Sequence, residues 1–236
     1  MRNNLKMSWA ILATLLDSAF VLNPIHESSY SLLPRGKFAS PVTLSVGALM
    51  QSQNTDVFEV PLSLTLEATP RFELGAGLKT AWGGSDDHVT YLVFGAKYLT
   101  VGQTSVQADL LVGATRGYGK GFALSTHHRF GYSPNFFSRL TGRVGFMDAI
   151  VQDDALMAFE LGFYPTLAIV RPLSLELGLI TSSQTSGFNE NFALDLQPAL
   201  QVHIGRESVV ETAVAVGLAG EHREELRVKL VLIYAF

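Results

Sequence analysis

"VFEVPLSLTLEATPRFELGAGLKTAW", Val57 to Trp82, alternates apolar and polar residues on both sides of Thr69-Pro70. Before that dipeptide, Phe58, Val60, Leu62, Leu64, Leu66 and Ala68 hold the even positions, and Glu59, Ser63, Thr65 and Glu67 fall among the odd ones. After it, Phe72, Leu74, Ala76, Leu78 and Trp82 oppose Arg71, Glu73, Gly75, Gly77 and Lys79. A period of two sends successive side chains to opposite faces of an extended strand. The stretch therefore reads as a hairpin whose strands each carry one apolar and one polar face.

The pattern continues from about Ser40 to the end, as in "PLSLELGLIT" at Pro172. Twelve such segments begin near Val42, Val57, Arg71, His88, Ser105, Phe122, Phe137, Ala155, Leu173, Phe192, Val209 and Leu226. Their connections alternate in kind. Tight ones fall at Thr69, Val101, Ser133, Arg171 and Gly205, and longer polar ones such as "GGSDD" and "SSQTSGFNE" lie between them. An even number of strands, each long enough to cross an apolar slab, with short turns on one side and longer loops on the other, describes an all-β, antiparallel, up-and-down transmembrane barrel of about twelve strands.

Composition agrees. The chain is 47% hydrophobic and 16% charged. Yet no stretch is apolar enough over 18 or more residues to form a membrane helix. An eight-stranded lipocalin-like barrel or a soluble sandwich needs fewer apolar faces than twelve. In hydrocarbon only a closed sheet satisfies every backbone group, so the apolar set must face outward. Aromatics on that set cluster at the strand ends: Phe58, Trp82, Phe122, Phe146 and Phe192 toward the long loops, and Phe72, Tyr98, Phe130, Tyr132, Tyr234 and Phe236 toward the short turns. A net charge of −4 argues against nucleic-acid binding. The absence of cysteine excludes disulfides and thiolate metal sites, and no motif calls for a cofactor or metal. Pro61, Pro165 and Pro198 fall inside strands, where bulges or breaks are expected.

At the N-terminus, Arg2 and Lys6 precede the apolar run "MSWAILATLL", the shape of a secretory signal peptide over residues 1–19. Residues 20–39 then form a periplasmic segment or plug, and residues 40–236 the barrel.

From Ser40 onward the chain resembles bacterial outer-membrane β-barrel proteins. Its last stretch, "RVKLVLIYAF", ends as theirs do, in alternating apolar residues closed by an aromatic. The resemblance implies an outer-membrane location, contact with outer-membrane lipids, and reading of Leu230, Leu232, Tyr234 and Phe236 by the barrel-assembly machinery. The lead-in "SLLPRGKF", Ser31 to Phe38, resembles that of small barrels known as phenol-pathway transporters, a match that names no substrate.

The polar set predicts the lumen. Centring the first hairpin on Thr69 sets Glu67 opposite Arg71 and Glu59 opposite Lys79. The next hairpin brings Glu73 near Lys97, and Arg143 meets Glu160. Arg129 and Arg139 face each other across the turn at Ser133. Glu160, Glu176, Asp195 and Glu211 form an acidic wall, followed by Arg227 and Lys229 on the last strand. These charges either select solutes by their field or close the lumen by pairing with one another. The expected function is passive passage of small polar solutes. Two alternatives are a closed structural or loop-interaction barrel and an outer-membrane hydrolase. For the last, Ser125 and His127 share the inner face, and a hairpin centred on Tyr118 sets Asp109 opposite His127. However, side chains two apart on a strand point in parallel, about 6–7 Å apart, which is long for a nucleophile and its base.

Overall fold

The computed structural model describes residues 42–52, 57–69, 71–82, 88–100, 103–114, 120–133, 135–149, 154–170, 172–184, 192–204, 208–220 and 226–236. The expected leader, the segment 20–39 and the Ser31–Phe38 match lie outside the described residues. Twelve strands follow one another: β1 (Val42–Ser52), β2 (Val57–Thr69), β3 (Phe72–Trp82), β4 (His88–Leu99), β5 (Thr104–Gly113), β6 (Lys120–Ser133), β7 (Phe136–Ala149), β8 (Asp154–Val170), β9 (Leu173–Gln184), β10 (Ala193–Ile204), β11 (Ser208–Gly220) and β12 (Leu226–Ala235). Each starts within two residues of its expected position. The connections alternate between two to four and four to eight residues.

Every strand pairs antiparallel with its neighbours in sequence, and β12 returns to β1, so the barrel is closed. The closing seam runs from Thr43 opposite Ala235 to Ser52 opposite Leu226, and the Phe236 amide donates to the Val42 carbonyl at 3.0 Å. No edge is left to face lipid. Following paired residues once around the sheet returns to β1 about fourteen positions along. With twelve strands, that stagger implies a tilt of roughly 40° and a backbone radius of about 11 Å.

The faces divide as the alternation requires. Leu62, Leu64, Phe94, Leu110, Leu177 and Leu230 are among the large apolar residues exposed on the outside. The rings form the two expected girdles. Phe58 stacks on Trp82 and Phe122 packs against Phe146 toward the long connections, each pair at 5.8 Å. Tyr132 stacks on Phe136 at 5.3 Å and Tyr234 meets Phe236 edge-on at 5.1 Å toward the short ones.

Two expected registers are corrected. In the first hairpin Arg71 belongs to the turn, its amide donating to Thr69 Oγ1 at 3.3 Å, and the pairing moves along. Glu59 lies opposite Ala81, Lys79 opposite Pro61, and Glu67 opposite Glu73. In the β5–β6 hairpin His127 lies opposite Ser105, and Asp109 opposite Ala123. Turn geometry sets hairpin register, and neither connection is as symmetric as the residue chosen for its centre.

At the three prolines the expected breaks occur, but the register does not slip. Paired residues resume unchanged on either side of Pro61, Pro165 and Pro198 along β1–β2, β8–β9 and β10–β11. A missing amide interrupts the ladder without adding a residue. Gly47, across from Pro61, leaves room for the ring: a Cβ there would sit 3.0 Å from Pro61 Cγ. The one irregularity within a strand, rather than at a hairpin end, falls at Leu194/Asp195.

Leu230 lies on the lipid face near mid-height. Leu230→Arg should destabilise the barrel by about 2–4 kcal/mol, lowering the temperature at which gel mobility shifts from folded to unfolded. The same substitution at Leu226, near the interface, should cost much less.

Candidate functional site

The inner wall carries the ionisable groups. Glu59 and Lys79 are fully buried. Lys97, Asp109, His127, Arg139, Arg143, Glu176, Asp195, Glu211 and Lys229 are also buried. Glu73, Arg129, Glu160 and Arg227 share the face and are half-buried. In a cylinder of this radius inward side chains crowd one another, so charges meet across neighbouring strands.

They meet mostly as opposites. Toward the long connections, Lys79 Nζ lies 3.2 Å from Glu59 Oε1. The two are diagonal rather than directly opposed, because long side chains reach the next pair along. On the far wall the Arg227 guanidinium donates to the Asp195 carboxylate. Lys229 Nζ donates to Glu211 Oε1 at 2.7 Å. Gln201 Nε2 donates to the other Glu211 oxygen at 3.0 Å, and Ser174 donates to Gln201 Oε1 at 3.3 Å. The acidic wall is thus interleaved with bases from adjoining strands.

The arginines sit on β6 and β7. Arg129 lies directly opposite Arg139. Each guanidinium rests on a ring, Arg129 on Phe137 at 4.1 Å and Arg139 on Tyr164 at 4.4 Å. Such stacking offsets part of the mutual repulsion. Arg139 also donates to both Glu176 oxygens at 3.3 and 3.4 Å, and Thr166 donates to Glu176 at 3.2 Å. Arg143 faces Glu160 and approaches Asp109 at 3.8 Å. Glu73 lies directly opposite Lys97.

Tyr164 is a residue the periodicity did not single out. Its ring lies against two inward glycines: a Cβ on Gly162 would come within 2.5 Å of it, and one on Gly178 within 2.9 Å. These glycines give the ring a flat seat beneath Arg139. The legible signal was an inward aromatic two residues after an inward glycine. Gln107, Thr166, Ser174 and Gln201 were also missed, since uncharged polar residues are common on any inner face.

The hydrolase geometry is not present. Asp109 is four positions along the sheet from the pair that holds His127, on the order of 13 Å away. Both of its oxygens accept from Gln107 Nε2, at 2.9 and 3.0 Å. Ser125 lies opposite Gln107 and Arg143.

No family model matches this chain, and no curated protein does. Solved structures share the fold. The chain is similar to the COG4313 outer membrane channel from Pseudomonas putida F1 at 12% identity and TM-score 0.62, covering 90% of this chain and 100% of that one. It is similar to the KdgM porin at 12% identity and TM-score 0.57, covering 81% and 99%. The CymD monoaromatic hydrocarbon channel gives 9% identity and TM-score 0.53, covering 93% and 92%. The β domain of the Bordetella autotransporter BrkA matches as well, at 14% identity and TM-score 0.58, covering 84% of this chain and 100% of that one. By fold and by its apolar outer surface this is a membrane-spanning β-barrel, the fold of these outer-membrane proteins.

Breaking one partner of a buried pair leaves an uncompensated charge. Lys79→Met should therefore destabilise the barrel by about 3–5 kcal/mol, and Lys79→Met with Glu59→Gln by clearly less. Thermal unfolding in detergent reads both. Equal losses would show that Lys79→Met leaves no uncompensated charge on Glu59.

Proposed function

We propose that this protein is a passive channel for small polar solutes in the bacterial outer membrane. One observation carries the reading: the inner wall is built from ionisable side chains on at least ten of the twelve strands. A barrel needed only as a scaffold gains little from these. Apolar residues of the same volume hold a closed interior as well or better, because each buried ion carries a desolvation cost that pairing repays only in part. Solved barrels of similar fold named as channels and porins support the same view.

Arg129, Arg139 and Arg143 on one side, with Glu160, Glu176, Asp195 and Glu211 on the other, set a field across the lumen. Anionic groups of a solute are drawn to the first side and cationic groups to the second. The charges act by electrostatics, without covalent chemistry. Leu230, Leu232, Tyr234 and Phe236 present the closing strand to the barrel-assembly machinery, and residues 1–19 direct export. The cross-strand ion pairs favour a second reading, a closed barrel that holds itself together and transports nothing.

Reconstitution in planar bilayers separates the two. The channel reading expects discrete conductance steps in potassium chloride, and their steady absence would sink it. Where steps occur, Arg129→Glu with Arg139→Glu should move the reversal potential toward cation selectivity. Unchanged selectivity would remove the arginines from the pathway.

A further inference from the structure

The registers bring one inner residue from each of eight consecutive strands into a single lateral row. Glu67 faces Glu73, Glu73 faces Lys97, and Lys97 faces Gln107. Gln107 in turn faces Ser125, Ser125 faces Arg143, Arg143 faces Glu160, and Glu160 faces Ser182. Every member is polar. Neighbours stand about 4.8 Å apart, the spacing of adjacent strands. Because the sheet is staggered, the row climbs the wall by about 3 Å per strand and roughly 20 Å in all. It runs from the short-connection rim at Glu67 toward the long connections at Ser182, close to the height of the apolar band outside.

Two further observations mark this row as a path. The next row toward the long connections is small: Gly75 faces Gly95, Ala123 faces Gly145, and Gly145 faces Ala158, with Asp109 between Gly95 and Ala123. Gly75 and Gly95 are partly exposed, whereas Gly145, Gly162, Gly178 and Gly217 are buried, so the wall is less tightly covered beside Glu73 than farther along the row. Midway along the row, Gln107 is 1% exposed. Its Nε2 is held by Asp109, while its Oε1 accepts no hydrogen bond. A buried amide oxygen left without a donor is costly, and a hydroxyl group that reached it from the lumen would satisfy it.

We propose that solutes cross along this row, that Gln107 Oε1 is its central station, and that the class it fits is a small neutral polyol or sugar. This rests on the channel reading above. The groups met in order are carboxylate, carboxylate, ammonium, amide, hydroxyl, guanidinium, carboxylate and hydroxyl. An anion meets repulsion at both ends of that order, and a cation meets it at Lys97 and Arg143. A hydroxyl donates to the carboxylates and to Gln107 and accepts from the cations, so a polyhydroxylated molecule exchanges partners at every step without net electrostatic cost.

The test is solute flux into proteoliposomes holding the full chain, with three probes of matched size: sorbitol, gluconate and N-methylglucamine. Sorbitol should enter fastest. Gln107→Met should slow it about fivefold relative to potassium chloride conductance, the size of one lost hydrogen bond. Ser125→Val should act in the same direction, which keeps the test alive where Gln107→Met does not fold by gel mobility. Ala213→Leu, on β11 away from the row, should leave the sorbitol-to-chloride ratio unchanged. Conductance with no preference for sorbitol, or with equal effects of Gln107→Met and Ala213→Leu, overturns the path while leaving a channel. No conductance at all overturns both.

Discussion

The constraint on which everything else depends is that hydrocarbon supplies no hydrogen bonds. A strand edge exposed there leaves a row of amides and carbonyls unsatisfied at several kcal/mol each. The pairing of β12 with β1 removes that edge. It also explains why the apolar residues are scattered at every second position rather than gathered into one run. Each strand needs a single lipid-facing line, and the other line must face something else.

Closure then fixes the interior. Twelve strands with this stagger give a cylinder of about 11 Å radius, between barrels filled by side chains and wide aqueous porins. Inward residues on adjacent strands cannot avoid one another at that curvature. Glycine is the local answer where a ring must lie flat, as under Tyr164, or where a proline must fit, as at Gly47. Stacking answers where two arginines are forced opposite each other. The same stagger turns lateral strand pairs into climbing rows, so a polar row of sequence-distant residues spans the barrel's height.

How much of this was legible follows from the period. Alternation fixes a residue's face without knowledge of its neighbour, so strand number, strand limits and the outward aromatic belts could be read directly. Inward placement of residues as far apart as Glu59 and Lys229 came from the same parity. Register could not be read so well, because it depends on how many residues each turn consumes. Assigning Arg71 to a strand instead of a turn set Glu59 directly opposite Lys79, whereas the turn moves the two onto a diagonal, across which the long side chains still bring the charges together. Asp109 and His127 had no such reach, and a shift in the β5–β6 register separated them. The seat of Tyr164 was hidden for another reason: it is made by backbone, at glycines whose significance appears only when neighbouring strands are aligned.

The inner charges pose the sharper question of why they persist. Lys229, Glu211, Gln201 and Ser174 form a continuous hydrogen-bonded chain over four strands, and Arg139, Glu176 and Thr166 form another over three. These networks cross the strands without adding to closure, which the backbone already secures. Their stabilisation is modest once desolvation is counted. What they do supply is rigidity: each charged group is held at a defined place on the wall by a partner from the next strand. A wall of mobile lysines and glutamates would collapse into the lumen and neutralise itself at random. A wall of interlocked pairs keeps its pattern of sign, and a fixed pattern of sign is what a narrow polar lumen requires to distinguish one solute from another.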